Sequence, residues 1–143
     1  MRKIGWKSSI VLLMGLSLYF YVTFLLFWPY QPMVIHSVTP INPNKVVYAG
    51  EYLIYELDYT KEKVYPVTQV SRQLVDGFII MLASRSHSSY PVGQHRKHIY
   101  AKVPDFTDAG EYYLRISMTY QVNYLRTITV TANSSMFTVK KKS

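Results

Sequence analysis

Residues 10–28 read IVLLMGLSLYFYVTFLLFW, an unbroken apolar run without a charged side chain. About 20 such residues in an α-helix, each rising 1.5 Å, match the roughly 30 Å hydrocarbon core of a bilayer. Charges are excluded from such a run because each costs about 3 kcal/mol at the centre of a membrane helix. Trp6, Trp28 and Tyr30 flank it, where amphipathic rings favour the headgroup zone. A core helix of a water-soluble domain carries one apolar stripe, whereas this segment is apolar around its whole circumference. A cleaved signal peptide has an apolar stretch of roughly 7–15 residues ending in small side chains. This run is longer and leaves through the bulky Phe27-Trp28-Pro29-Tyr30, and cleavage near Gly15 or Ser17 would leave too little apolar chain before it. The segment therefore reads as an uncleaved signal anchor crossing the lipid bilayer through residues 10–28. Arg2, Lys3 and Lys7 precede it without an accompanying acid, which sets residues 1–9 in the cytoplasm and 29–143 in the periplasm or outside the cell. A domain of that length is translocated largely regardless of its own charge.

Beyond Pro29 the pattern changes to alternation, the period of a half-buried strand. In 111–122, EYYLRISMTYQV, the side chains of Tyr112, Leu114, Ile116, Met118, Tyr120 and Val122 share one face. Residues 126–132 repeat the pattern, with Ile128, Val130 and Ala132 opposite Thr127, Thr129 and Thr131. Segments 51–59 and 98–103 alternate likewise and are rich in β-branched and aromatic residues. Asp76-Gly77 between 67–75 and 78–83 is a two-residue hairpin signal, because Gly accepts a positive φ. Short strands are also expected at 33–38, 45–48 and 136–140, with Pro40, Pro43, Pro66, Pro91 and Pro104 falling between strands. Residues 84–89, SRSHSS, read as a polar loop. About seven strands in a stretch of this length imply an antiparallel sandwich or barrel.

The segment Asp108-Ala109-Gly110-Glu111-Tyr112-Tyr113-Leu114 resembles the D-x-G-x-Y-x-C corner of immunoglobulin-like domains. The resemblance implies that the Tyr112 hydroxyl bonds back to backbone a few residues upstream, that Gly110 permits the tight turn, and that Asp108 hydrogen-bonds locally. Leu114 stands where that family carries a cysteine, and residues 29–143 contain no tryptophan. The implied relative is disulfide-free, with Leu114 filling its site by packing. The expected fold is all-β: an immunoglobulin-like antiparallel β-sandwich of about seven strands, preceded by one N-terminal transmembrane helix. The stretches YELDYTK, VSRQLVDG, PVGQH, GEYYLRI and YQVNYLRTITV also resemble small membrane-anchored proteins encoded by tailed phages, which implies a setting and no mechanism.

Candidate chemistry is sparse. The chain has no cysteine, so neither a disulfide nor a thiolate metal site can form. Small secreted eukaryotic domains often depend on disulfides, so the lack tilts the origin towards bacteria or their phages. Of the histidines His36, His87, His95 and His98, the last two are three apart, which on a strand puts them on opposite faces. No HExxH, nucleophile-elbow or P-loop pattern occurs. The acids Glu51, Glu56, Asp58, Glu62 and Asp76 fall on expected solvent faces and turns. Asn133-Ser134-Ser135 matches a glycosylation acceptor but reads as an ordinary turn. No enzyme activity, metal or cofactor is expected.

Two features point to contacts. Of the 16 Lys and Arg, three precede the apolar run, so 13 stand against all 8 Asp and Glu from residue 29 onward, a net +5, ending in Lys140, Lys141 and Lys142. Such charge is drawn to anionic lipid headgroups or envelope polymers, or simply keeps the tail solvated. Secondly, Phe78, Ile79, Ile80, Met81 and Leu82 are apolar on both faces of their strand, so the strand is either covered twice within the domain or meets a partner. The expected function is a non-catalytic, membrane-anchored binding or structural module with a protein partner, a second copy of the chain being one candidate, and no role for nucleic acid. A phage lysis or envelope-modifying factor and an envelope hydrolase are the competing readings.

Overall fold

The computed structural model describes residues 5–83 and 90–142. The polar loop at 84–89, with His87, and the N-terminal Arg2 and Lys3 lie outside the described residues. The apolar run forms α1 (Trp6–Phe27), 22 residues long and apolar enough to cross a membrane. Its length is about 33 Å at 1.5 Å per residue. The helix starts four residues before the expected 10–28, because Lys7, Ser8 and Ser9 are helix-compatible although not lipid-soluble; Trp28 is its C-terminal cap.

Among the described residues nine strands follow: β1 (Met33–Pro40), β2 (Val46–Tyr48), β3 (Tyr52–Lys61), β4 (Val67–Asp76), β5 (Phe78–Leu82), β6 (Gly93–Lys102), β7 (Gly110–Asn123), β8 (Arg126–Asn133) and β9 (Phe137–Lys140). Each falls on one of the segments named from the sequence, so the count of about seven was low although the short β2 and β9 were both expected. One sheet has the order β1-β3-β6; the other runs β2-β9-β7-β4-β5, with β8 also paired to β7. Pairing is antiparallel except between β2 and β9, which run parallel, a departure from the expected all-antiparallel arrangement. Pro40 is the last residue of β1 rather than a linker residue, and β1 lies at a sheet edge, where a missing N–H is tolerated.

The two sheets share a single core. Leu53, Tyr55, Leu57 and Tyr59 of β3 meet Leu74 of β4 and the alternating face of β7 from Tyr112 to Val122 in one cluster. The opposite face of β7 carries hydroxyls paired across to β8: Ser117 with Thr131 at 3.0 Å and Thr119 with Thr129 at 2.9 Å. Between Val70 and Leu74 the same alternation places Arg72 inside, almost fully buried. The chain reverses at Gly77, whose φ is 63°, but the turn is not the expected two-residue one: Asp76 pairs with Phe78, so Gly77 alone stands at the tip.

β7 fixes the long axis of the domain. Tyr113 pairs with Val75 beside the β4–β5 turn, while Asn123 ends the strand next to α1. Ten residues at about 3.3 Å each separate these two ends by roughly 33 Å. The helix-distal end carries the β4–β5 turn, the corner before β7 and the end of β9. The helix-proximal end carries the β3–β4 connection and the β7–β8 hairpin.

Candidate functional site

The corner before β7 takes the hydrogen bond that the resemblance implied. Tyr112 is buried, and its hydroxyl donates to the Asp108 carbonyl at 3.1 Å. Burial, together with the charges of Asp76 and Asp108, raises the Tyr112 pKa. Gly110 serves otherwise than expected. Its φ is not in the left-handed region; instead, a Cβ there would sit 2.9 Å from Oδ2 of Asp76, so its bareness makes room for that carboxylate. The exposed Asp108 carboxylate pairs with Lys141 at 2.9 Å. Leu114 is completely buried in the core.

An open apolar surface lies beside this corner. β5 is the edge strand of its sheet. Phe78 is 84% exposed, and Ile79 and Met81, on the outer face, are 57% and 58% exposed. Ile80 packs against the core and Leu82 is buried. The domain covers the inner face of this strand at Ile80 and Leu82 but leaves it open at Phe78, and the outer face is open at Ile79 and Met81. Phe106, 76% exposed, stands across from Phe78, and the two border an open cleft of about 520 Å³ whose floor includes Ile80 and Tyr112 and whose rim carries Asp76 and Asp108. The sequence marked β5 by its two apolar faces; nothing local in it joined Phe106 to that strand, because the corner loop and the β4–β5 turn meet only through the register of β4 on β7.

The basic tail lies at the same distal end. Gly110 pairs with Val139, so β9 runs away from the helix. Lys141 is taken up by Asp108, and Lys142 by Glu51 at 3.4 Å. These lysines therefore lie at the pole of the domain opposite the end of α1.

Among the described residues, the histidines His36, His95 and His98 do not gather at one place. His95 and His98 lie on opposite faces of β6, as their spacing required. His95 packs on Tyr59, ring centroids 5.3 Å apart, and its Nε2 lies 2.8 Å from the Pro91 carbonyl. On the outer face, His98 contacts Glu56 at 3.2 Å and His36 contacts Thr60 at 2.8 Å. Asp58, expected on a solvent face, is buried there beneath Arg96, which reaches its Oδ2 at 3.1 Å and Glu56 at 3.7 Å. The Arg96 hydrogen bond, aided by Gln94, lowers the Asp58 pKa. A carboxylate so held stays ionised near neutral pH and does not donate protons. Among the described residues, no group of three or more His, Asp or Glu gathers to hold a metal ion.

At the proximal end the domain grips the end of α1. The last carbonyls of a helix lack intrahelical partners. Asn123 Nδ2 donates to the Leu25 carbonyl at 2.8 Å and to the Tyr30 hydroxyl at 3.1 Å. Arg126 Nη1 donates to the carbonyls of Leu26 and Trp28, placing a cation at the negative end of the helix dipole. These groups come from a hairpin about a hundred residues further along the chain, and no local sequence signal indicated them.

No protein-family model and no curated protein matches the chain.

Proposed function

We propose that the chain is a non-catalytic binding module, anchored in a membrane by α1 and presenting an immunoglobulin-like domain outside the cytoplasm to a protein partner. The observation that carries this reading is the location of the open apolar surface. Phe78 and Phe106 are exposed together across a cleft at the end of the domain farthest from the helix, and Ile79 and Met81 are exposed on the other face of the same edge strand. Isolated exposed apolar residues need no explanation, whereas a grouped patch beside a cleft is what interaction sites present. Among the described residues β5 also ends its sheet, and a partner's strand can pair on such an edge.

The immunoglobulin-like assignment draws support from the Tyr112–Asp108 bond and from two sheets sharing one core. The orientation rests on the basic residues before α1. The phage-borne setting implied by the sequence resemblance is compatible with this reading and adds no mechanism to it.

The test is capture from detergent-solubilised membranes with the full chain, alongside Phe78→Ser and Phe106→Ser variants. A specific protein is expected with the native chain and lost with either variant, while thermal stability stays within about 0.5 kcal/mol of native, as for other surface changes. Repeated recovery of the chain alone, as a monomer, sinks the proposal.

A further inference from the structure

We infer that the β7–β8 hairpin is a second membrane contact: its tip, Tyr124 and Leu125, enters the lipid interface on the C-terminal side of α1. This rests on the reading that α1 spans a bilayer, and it draws on different residues from the distal patch.

The depth of the tip is set by its attachment to the helix. Asn123 and Arg126 hold the carbonyls of Leu25, Leu26 and Trp28 from the two ends of the turn. The hairpin therefore cannot rise away from the membrane without leaving those carbonyls unsatisfied. Between these clamps, the Tyr124 hydroxyl reaches the Tyr21 hydroxyl at 3.3 Å. Tyr21 lies six residues before the end of α1 at Phe27, about 9 Å back along the axis at 1.5 Å per residue. A helix of about 33 Å exceeds a hydrocarbon core of about 30 Å by little, so a group bonded to Tyr21 lies below the lipid surface and not above it.

The chemistry of the tip suits that depth. Tight hairpin turns favour Asn, Asp and Gly, yet this one presents Tyr124, 67% exposed, followed by the exposed Leu125. Tyrosine is enriched where an apolar body meets a wet headgroup layer. The neighbouring rim continues the pattern. Val64 is exposed on the β3–β4 connection, and Trp28, Glu62 and Lys63 line a small cleft beside the helix end. An apolar tip flanked by the Arg126 cation is an arrangement by which a surface sits in phospholipid.

The chain has no cysteine, so single Leu125→Cys, Leu13→Cys and Ala109→Cys variants of the full chain can each carry one spin label. They are reconstituted in vesicles of phosphatidylcholine with phosphatidylglycerol, and collisions with oxygen, which concentrates in lipid, are compared with those of a water-soluble nickel chelate. Labels at 125 and 13 are expected to favour oxygen, and the label at 109 to favour nickel. A label at 125 as nickel-accessible as that at 109, with 13 still in lipid, overturns the hairpin inference alone. Nickel access at 13 overturns the membrane anchor itself and the inference with it.

Discussion

Replacing Leu114 by alanine tests whether packing alone stands in for the disulfide of related folds. Leu114 is fully buried in the middle of β7 and pairs in register with Leu74, itself fully buried. The change removes three carbon groups, at about 0.8 kcal/mol each in transfer free energy. It also leaves a cavity, and β7 cannot move to close it because β4 is hydrogen-bonded along one side and β8 and β9 along the other. Measured Leu→Ala losses at such sites run from about 2.7 to 5 kcal/mol, rising with the cavity that remains. A loss of about 3–4 kcal/mol is therefore expected. At about 4 °C per kcal/mol for a domain of this size, Tm falls by roughly 12–16 °C. The assay is a thermal melt of the full chain in detergent, followed by the near-ultraviolet dichroism of the tyrosines, of which only Tyr19 and Tyr21 lie in α1, so that the signal reports mainly side-chain packing in the domain. Leu114→Met, which conserves volume, should cost less than about 1.5 kcal/mol. A fall below about 4 °C for Leu114→Ala would refute the argument that this site is a rigid, close-packed part of the core.

Tyr112→Phe keeps the ring and deletes one hydroxyl; since water can reach the exposed Asp108, the loss should stay near the lower part of the usual 0.5–1.5 kcal/mol range. A melt showing more than about 2 kcal/mol would contradict that. Burial raises the Tyr120 pKa from 10 to about 12. The folded state thus holds this proton more tightly than the unfolded state does. The associated stability is complete below pH 10 and is lost as pH climbs towards 12. Denaturation midpoints measured across that window should fall less steeply in Tyr120→Phe, and equal slopes would dismiss the assignment. Finally, Asn123→Ala combined with Arg126→Gln should free the domain from the helix end, seen as faster amide exchange and proteolysis at residues 28–32 with the domain's own Tm little changed; unaltered exchange would mean that these side chains do not hold the joint.

How far the fold was legible depends on how local its cause is. The alternation of β7 located all six of its buried side chains, because pleating is a property of consecutive residues. The turn at Gly77 was equally local. The run at 10–28 marked a lipid-compatible stretch but not the start of the helix, since Lys7, Ser8 and Ser9 continue the hydrogen-bonded spiral without being apolar. Arg72 obeys the alternation of β4 and is buried, yet its charge argues for the surface; only the surrounding sheets reveal which rule prevailed. The candidate sites were harder to read because they are assembled by register. The two apolar faces of 78–82 were visible in the sequence, whereas their place on an edge opposite Phe106 was not. The capping of α1 by Asn123 and Arg126 depends on where a distant hairpin lands.

The parallel ladder of β2 on β9 bears on how the molecule carries load. A chain held at α1 and tugged at its carboxyl end is stretched along its strands, because β1 leaves the helix at one pole and β9 finishes at the other. β2 and β9 point the same way, so opposing pulls slide one past the other and strain the pairs at Val46, Val47 and Tyr48 together instead of peeling them one at a time. Resistance to traction should accordingly exceed what three short pairs suggest, and a partner gripping the far pole would be tethered through a joint that fails by shear.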